Sequence, residues 1–185
     1  HDQNMKTVKN GHKRHIRLDA ILLIIGVVCL SIFAGISYYN AMEEKRSRET
    51  VQQLRSMRDV GIAPRVDSSQ TDTEKQDAIT TSYERLFEAN ADMIGWLNIP
   101  GTQIDYPVMQ TLEDEEYYLR RNFYKEKDKN GCLLMDTDSD IHMAGANLII
   151  HGHNMKSGDM FGTLQDYQDQ EYGMEHNKLY LYTRD

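Results

Sequence analysis

The sequence predicts a mostly β domain, either a barrel or a sandwich, behind one membrane-spanning helix. Three observations lead to this fold class. They are an uncharged run of nineteen residues near the N-terminus, one amphipathic helical stripe, and then several short apolar runs separated by turn residues. The 185 residues are enough for one domain of ordinary size together with an anchor.

The uncharged run covers residues 20–38 and reads AILLIIGVVCLSIFAGISY. At about 1.5 Å per residue, a helix of this length covers roughly 28 Å, close to the hydrocarbon thickness of a bilayer. Residues 1–19, which precede it, carry a net charge of +3. This predicts a basic cytoplasmic tail, a single-pass anchor and an extracellular body. The alternative is a cleaved signal peptide, which usually has a shorter apolar core and a small-x-small cleavage site.

The exported body is acidic. The formal net charge of the chain is -8, which leaves -11 for the residues after the basic tail. Phosphate binding requires a clustered positive field, so we expect no nucleic-acid partner. The acidic run over residues 113–116 is interpreted as a solvated loop, and calcium binding there is only a weak hypothesis.

Residues 39–77 are predicted to form a stalk and a polar linker. Residues 41–60 are rich in helix formers and charge, with a thin apolar stripe around Leu54, which predicts a solvated helix that ends before Pro64. Residues 65–77 lack large apolar groups, as linkers do.

The last predicted domain covers residues 78–185 and begins with one amphipathic helix. Its apolar stripe follows the spacing i, i+4, i+7, i+8 and consists of Ile79, Tyr83, Leu86 and Phe87. Short strands bounded by turn residues such as Pro100-Gly101 come next. The predicted strands are residues 96–99, 104–106, 132–135, 147–151 and 179–182. One helix ahead of short strands is typical of a barrel or sandwich.

Two segments carry the most specific pattern. The first covers residues 90–110, NADMIGWLNIPGTQIDYPVMQ, and is followed by Tyr117-Tyr118-Leu119; the second covers residues 147–167, NLIIHGHNMKSGDMFGTLQDY. Residues 131–136, GCLLMD, lie between them. In order and spacing, these elements resemble the class B sortases over about residues 80–185. Leu134 stands where that family commonly has Phe, and His151 where it usually has Tyr.

The resemblance implies a sortase-like β-barrel with an N-terminal helix and short connecting helices. It also implies a cysteine transpeptidase of the Gram-positive cell surface. Such an enzyme cleaves an Asn-Pro-x-Thr-x type signal near the C-terminus of a secreted protein and forms a thioacyl-enzyme. An amine of a peptidoglycan cross-bridge, or a pilin lysine, then resolves the thioester. No metal and no cofactor are expected.

The catalytic histidine of the family falls on His153. Gly152, after an apolar strand, lets the backbone turn and leaves the next side chain at the exposed end of that strand. An imidazole exchanges a proton near neutral pH, which suits an acid for an amine leaving group or a partner to a thiolate. Whether Asn154 orients the imidazole is left open.

The segment after the histidine predicts a short helix that braces its loop. Ser157-Gly158-Asp159 offers a helix N-cap. Residues Met160, Phe161, Leu164 and Tyr167 then form one apolar face.

The cysteine motif of the family, Thr-Leu-x-Thr-Cys followed by an arginine on the next strand, does not occur in the 185 residues. Cys29 lies within the anchor, and Cys132 is interpreted as a small core residue rather than a nucleophile. We therefore expect this chain not to turn over, and to fold poorly because a sheet edge would be exposed. Thiol-dependent cleavage of a sorting peptide by the 185-residue chain would contradict the first expectation.

Two alternatives to the enzyme were weighed. His151-x-His153 places two imidazoles on one face of an extended strand, and His142 and His176 could add ligands, but no spacing marks them as a four-ligand zinc site. The second alternative is a non-catalytic, membrane-tethered cell-surface module, a decayed or truncated sortase. The stalk, linker and acidic body fit it equally well.

Overall fold

The computed structural model describes residues 2–62, 82–142 and 147–184. The chain divides into two compact units, His1–Met42 and Glu43–Asp185. One long helix, α1, spans Asp2–Ile62. Within it, Leu18–Asp59 is long and apolar enough to cross a membrane by length and composition. The predicted anchor lies inside this helix, whereas the predicted linker over residues 65–77 and the predicted contact of Ile79 lie outside the described residues.

The second unit is built around a five-stranded mixed sheet, accompanied by short helices. The strand order is β4-β3-β2-β1-β5, with β2 and β3 parallel and the other neighbouring pairs antiparallel. The strands are β1 (Met93–Asn98), β2 (Asp105–Met109), β3 (Leu133–Met135), β4 (Ile150–His151) and β5 (Tyr180–Thr183). The short helices are α2 over residues 82–89, a 3-10 helix (Gly162–Gln168) and α3 (Gln170–Glu175).

The central hairpin of β1 and β2 follows the sequence prediction. Its predicted turn at Pro100-Gly101 is confirmed, and Gly101 has a φ of 82°, which favours glycine. However, β2 continues through Pro107, where the sequence predicted an end. Proline lacks an N–H, but the ladder with β3 begins only at Val108, so β2 tolerates Pro107 at that position.

The strand β4 is shorter than the predicted strand over residues 147–151. Only Ile150 and His151 pair with β3, opposite Met135 and Leu134. The Ile149 N–H instead binds the Ser139 hydroxyl, at 3.0 Å. The sheet therefore ends just before the histidine segment.

Apolar side chains pack on both faces of the sheet, since successive residues of each strand point to opposite sides. In β1, Trp96 belongs to one buried cluster and Leu97 to the other, and in β2 Met109 and Val108 divide in the same way. The predicted stripe of α2 is confirmed over its described residues. Tyr83, Leu86 and Phe87 are buried in the cluster of Trp96.

The prediction of a solvated helix over residues 41–60 is wrong for its packed face. Leu54 is 1% exposed and belongs to the cluster of Trp96, and Ser47 is also buried. The apolar stripe is thin because arginines supply much of the contact between α1 and the sheet. This contact is concentrated at Asp105.

Asp105 joins α1 to the central hairpin. Its Oδ1 accepts hydrogen bonds from Trp96 Nε1 and Arg58 Nη1, each at 2.6 Å, and from Asn98 Nδ2 at 3.1 Å. Its Oδ2 lies 3.2 Å from Arg55 Nε. Burial alone would raise the pKa of Asp105, but the hydrogen bonds from Arg58 and Trp96 and the charges of both arginines outweigh it. The pKa of this carboxyl therefore lies below its ordinary value.

Replacing Asp105 with Asn should lower the free energy of unfolding by about 3 kcal/mol, because it leaves two arginines without their carboxylate. Urea unfolding in detergent, followed by the fluorescence of Trp96, measures this loss. Trp96 is the only tryptophan of the sequence and is fully buried. In the matched control Glu49→Ala, which removes an exposed pair with Lys45, the loss should stay below about 0.5 kcal/mol.

The same variant should also change the dependence of stability on pH. A carboxyl whose pKa is lowered on folding contributes stability above its ordinary value of about 3.9, and that contribution is lost as the pH falls through the lowered value. Asp105→Asn should therefore lose less stability on acidification than the wild type. Identical acid dependence in the two proteins would show that Asp105 is not the group responsible.

Candidate active site

His153 lies two residues beyond β4, at the start of a tight hairpin over residues 153–161. The Phe161 N–H donates to the His153 carbonyl at 2.9 Å, and Asn154 and Met160 form an antiparallel bridge. These two contacts hold the backbone of residues 153 and 154 against that of residues 160 and 161.

Gly152 is required here by a close approach rather than by a positive φ. A Cβ at this position would lie 2.5 Å from Leu133 Cδ2 and 2.7 Å from the Phe161 ring. Backbone freedom was the reason expected from the sequence, but the contact with Leu133 and Phe161 is the stronger constraint. The chain after β4 passes directly over the side chains of β3 and the hairpin.

The imidazole of His153 is half-buried, and its Nδ1 is buried without a hydrogen-bond partner among the described residues. Burial lowers the pKa of His153, and the positive charge of Arg120 lowers it further. The ring is therefore mainly neutral at pH 7 and able to accept a proton.

The side chain of Asn154 is exposed, and within the described residues no hydrogen bond joins its amide to His153. The backbone bond from Phe161 and the packing around Gly152 hold the segment.

The predicted N-cap at residues 157–159 is wrong. The helix begins later, at Gly162, is of the 3-10 type, and has Phe161 as its N-cap without a side-chain bond. In place of a cap, the Ser157 hydroxyl donates to the Asp159 carboxylate at 2.8 Å. Phe161 and Tyr167 pack against a buried cluster, whereas Leu164 is 39% exposed and does not belong to that packed face.

Next to the hairpin, His151 forms a cluster with two carboxylates. Its Nε2 lies 3.2 Å from Asp136 Oδ2, and the ligand atoms of His151, Asp136 and Glu115 all lie within 4.8 Å of one another. The backbone N–H of Asp138 and then His151 lower the pKa of Asp136.

This cluster differs from the metal alternative considered from the sequence. Among the described residues, the group with metal-ligand spacing combines His151 with carboxylates rather than with His153, His142 or His176. His176 has a structural contact, since its Nδ1 lies 2.9 Å from the Tyr172 carbonyl. Exposed acidic groups of this kind are common without a metal ion.

Comparison with known proteins finds no matching family model. Sortase B of Listeria monocytogenes is 31% identical over 155 residues, which cover 84% of this chain and 58% of that protein. Sortase B of Staphylococcus aureus is 26% identical over 164 residues, covering 89% and 62%. The solved sortase B from B. anthracis in complex with AAEK1 is similar with a TM-score of 0.61 and 31% identity, covering 77% of this chain and 63% of that one.

The chain belongs to the class B sortases. The predicted sortase-like fold is thereby confirmed. The chain spans about three fifths of the length of the curated sortases that it matches.

Cys132 is a core residue of this sortase, as predicted. It is 6% exposed, and its Sγ lies 3.5 Å from the Arg121 carbonyl. Burial raises the pKa of Cys132 well above that of an ordinary thiol. The thiol therefore stays protonated at neutral pH, and Cys132 is not suited to be the nucleophile.

Sequence reasoning missed three charged residues around the histidine hairpin, namely Arg120, Arg48 and Asp159. Arg120 acts on His153 through its charge, and Arg48 binds Asp159 across 111 residues of sequence. One signal was present, because Arg48, Arg55 and Arg58 follow the spacing i, i+7, i+10 of one helix face. A helix face with three arginines, in a chain whose following domain is acidic, indicates that the helix packs against that domain.

Replacing Gly152 with Ala should lower the free energy of unfolding by about 2 kcal/mol, because the new methyl group overlaps Leu133 and Phe161. Urea unfolding followed by Trp96 fluorescence measures this loss, and amide NMR signals of residues 153–161 should shift. The control is Gly173→Ala, where the Cβ would meet the Tyr167 ring at an ordinary 3.6 Å. Equal behaviour of the two variants would contradict the close approach at Gly152.

Proposed function

We propose that this protein is a membrane-anchored sortase-type cysteine transpeptidase and that His153 is its catalytic histidine. One observation carries the proposal. A neutral, half-buried imidazole, whose Nδ1 has no hydrogen-bond partner in the part of the chain that the structure describes, lies just beyond a strand end in a chain of the class B sortase family.

The proposed reaction is acyl transfer through a thioester. The neutral His153 imidazole removes the proton of a cysteine thiol. The resulting thiolate attacks the threonine carbonyl carbon of an Asn-Pro-x-Thr-x type signal in a secreted protein, and the C–N bond after threonine breaks. The leaving amine takes a proton from the His153 imidazolium. An amine of a peptidoglycan cross-bridge, or a pilin lysine, then attacks the thioester, returns a proton to His153 and releases the thiolate.

A lowered imidazole pKa supports both halves of this cycle. The neutral form of His153 removes the proton of the incoming amine, and the charged form, once made, readily gives a proton up. Arg120 contributes by destabilising the imidazolium.

The nucleophile is assigned to neither cysteine of this sequence. Cys29 lies in the apolar run of α1, and Cys132 is buried with a raised pKa. Since the chain spans 58% of the Listeria relative, the activity is proposed for the whole protein, to which the described residues contribute the histidine.

The proposed location is the cell membrane, with the N-terminus in the cytoplasm and the catalytic domain outside. The long apolar stretch within Leu18–Asp59 and the basic residues before it support this orientation. The proposed macromolecular partners are the signal-bearing secreted protein and the cell wall that supplies the amine.

The test is transfer of a fluorogenic sorting-signal peptide to an added amine by the protein expressed from its complete gene. His153→Gln should lower kcat/KM by about 10³-fold, because proton transfer to the leaving amine is lost. The control His142→Gln alters an exposed histidine in a different loop and should retain the wild-type rate.

Two results would count against the proposal. A wild-type rate in His153→Gln would remove the histidine from the mechanism. No thiol-dependent transfer by the wild type, with any sorting-signal peptide, would favour the non-catalytic tethered module instead.

A further inference from the structure

An ion pair connects α1 to the hairpin that carries His153. Arg48 Nε lies 3.2 Å from Oδ1 and 3.0 Å from Oδ2 of Asp159. The Asp159 side chain is only 11% exposed, whereas that of Arg48 is 55% exposed. The carboxylate is thus nearly buried, and it is bound by this arginine and by the Ser157 hydroxyl.

The two residues after Asp159 are Met160 and Phe161, and they connect it to the backbone of His153. Met160 has a φ of 54°, which is unfavourable for a residue with a side chain, and it is 3% exposed. Its N–H donates to the Tyr106 hydroxyl at 3.2 Å. The next N–H, that of Phe161, donates to the His153 carbonyl at 2.9 Å.

A backbone held in an unfavourable conformation persists only where its surroundings fix it. Here the turn over residues 158–161 is fixed by Asp159 on one side and by Tyr106 on the other. Arg55 of α1 lies over the Tyr106 ring, with its guanidinium carbon 5.3 Å from the centroid. Helix α1 therefore supports both contacts that hold the turn, through Arg48 at Asp159 and through Arg55 at Tyr106.

We infer that Arg48 of α1 is a positioning residue for His153. By binding Asp159, it holds the turn that is hydrogen-bonded to the histidine backbone, and it thereby sets how deeply the imidazole is buried. The inference rests on the proposed function only in taking His153 as the group used in catalysis.

A second ion pair on the same helix provides the comparison. Arg46 Nη2 lies 3.0 Å from Glu126 Oε2, and both side chains are more than half exposed. Glu126 lies in the loop before β3 and belongs to no part of the histidine hairpin. Loss of Arg46 therefore removes an ion pair between α1 and a distant loop of the same chain, and it leaves the contacts of the turn over residues 158–161 unchanged.

The experiment is a ¹H–¹³C NMR titration of the His153 ring in the full 185-residue chain in detergent micelles. The His153 signal is assigned by its absence in His153→Gln. In Arg48→Ala the pKa of His153 should rise toward the ordinary value of about 6.5, because the loosened hairpin exposes the ring to water. Amide signals of residues 153–161 should shift as well.

Controls separate positioning from charge and from general destabilisation. Arg46→Ala should leave the His153 titration and these amide signals unchanged. Arg120 is the charged residue that acts on the imidazole, so the titration is repeated in an Arg120→Gln background, where Arg48→Ala should still raise the pKa. The exchange Arg48→Asp with Asp159→Arg should restore the wild-type titration.

The inference is overturned if Arg48→Ala leaves the His153 titration and the signals of residues 153–161 unchanged, whether or not the urea midpoint falls. A lower midpoint alone would make Arg48 a purely structural contact. Because this readout needs no turnover, it is independent of the peptide-transfer test, so failure of either proposal can be recognised separately.

Discussion

The structure of the second unit depends first on the carboxylate of Asp105. A partly buried carboxylate is stable only when it is paired and hydrogen-bonded, and this one is bound by Trp96, Asn98 and two arginines of α1. Asp105 opens β2, which pairs with β1, and the other strands add to the two sides of that hairpin. The part of α1 that follows Met42 is therefore packed into the second unit rather than being a spacer beside it.

The same helix face reaches the candidate active site. Arg55 contacts both Asp105 and the ring of Tyr106, and Tyr106 in turn receives the Met160 N–H of the histidine hairpin. About two turns nearer the N-terminus, Arg48 binds Asp159 of that hairpin. His153 is thus positioned by two independent supports, the end of β4 beneath it and α1 at the side. A catalytic side chain placed on a loop needs such support to keep a defined geometry.

Burial favours the neutral form of both candidate reactive groups, His153 and Cys132. It lowers the pKa of His153 and raises that of Cys132, because in both cases the charged form is disfavoured. A neutral imidazole remains useful as a proton acceptor, whereas a neutral thiol is a poor nucleophile. The same physical effect therefore supports a functional role for the histidine and opposes one for the cysteine.

The sequence by itself determined the family, the apolar run, the stripe of α2, the turn at Pro100-Gly101 and the place of His153 at a strand end. Each of these depends on residue order, on short-range periodicity or on the backbone preferences of single residues. The tertiary structure decided the docking of α1, the shortening of β4, the 3-10 helix in place of a capped α-helix, and the partners of His151 and Asp159. These features depend on contacts between distant segments, such as Arg48 and Asp159, which are 111 residues apart, and a single sequence does not show which distant residues meet.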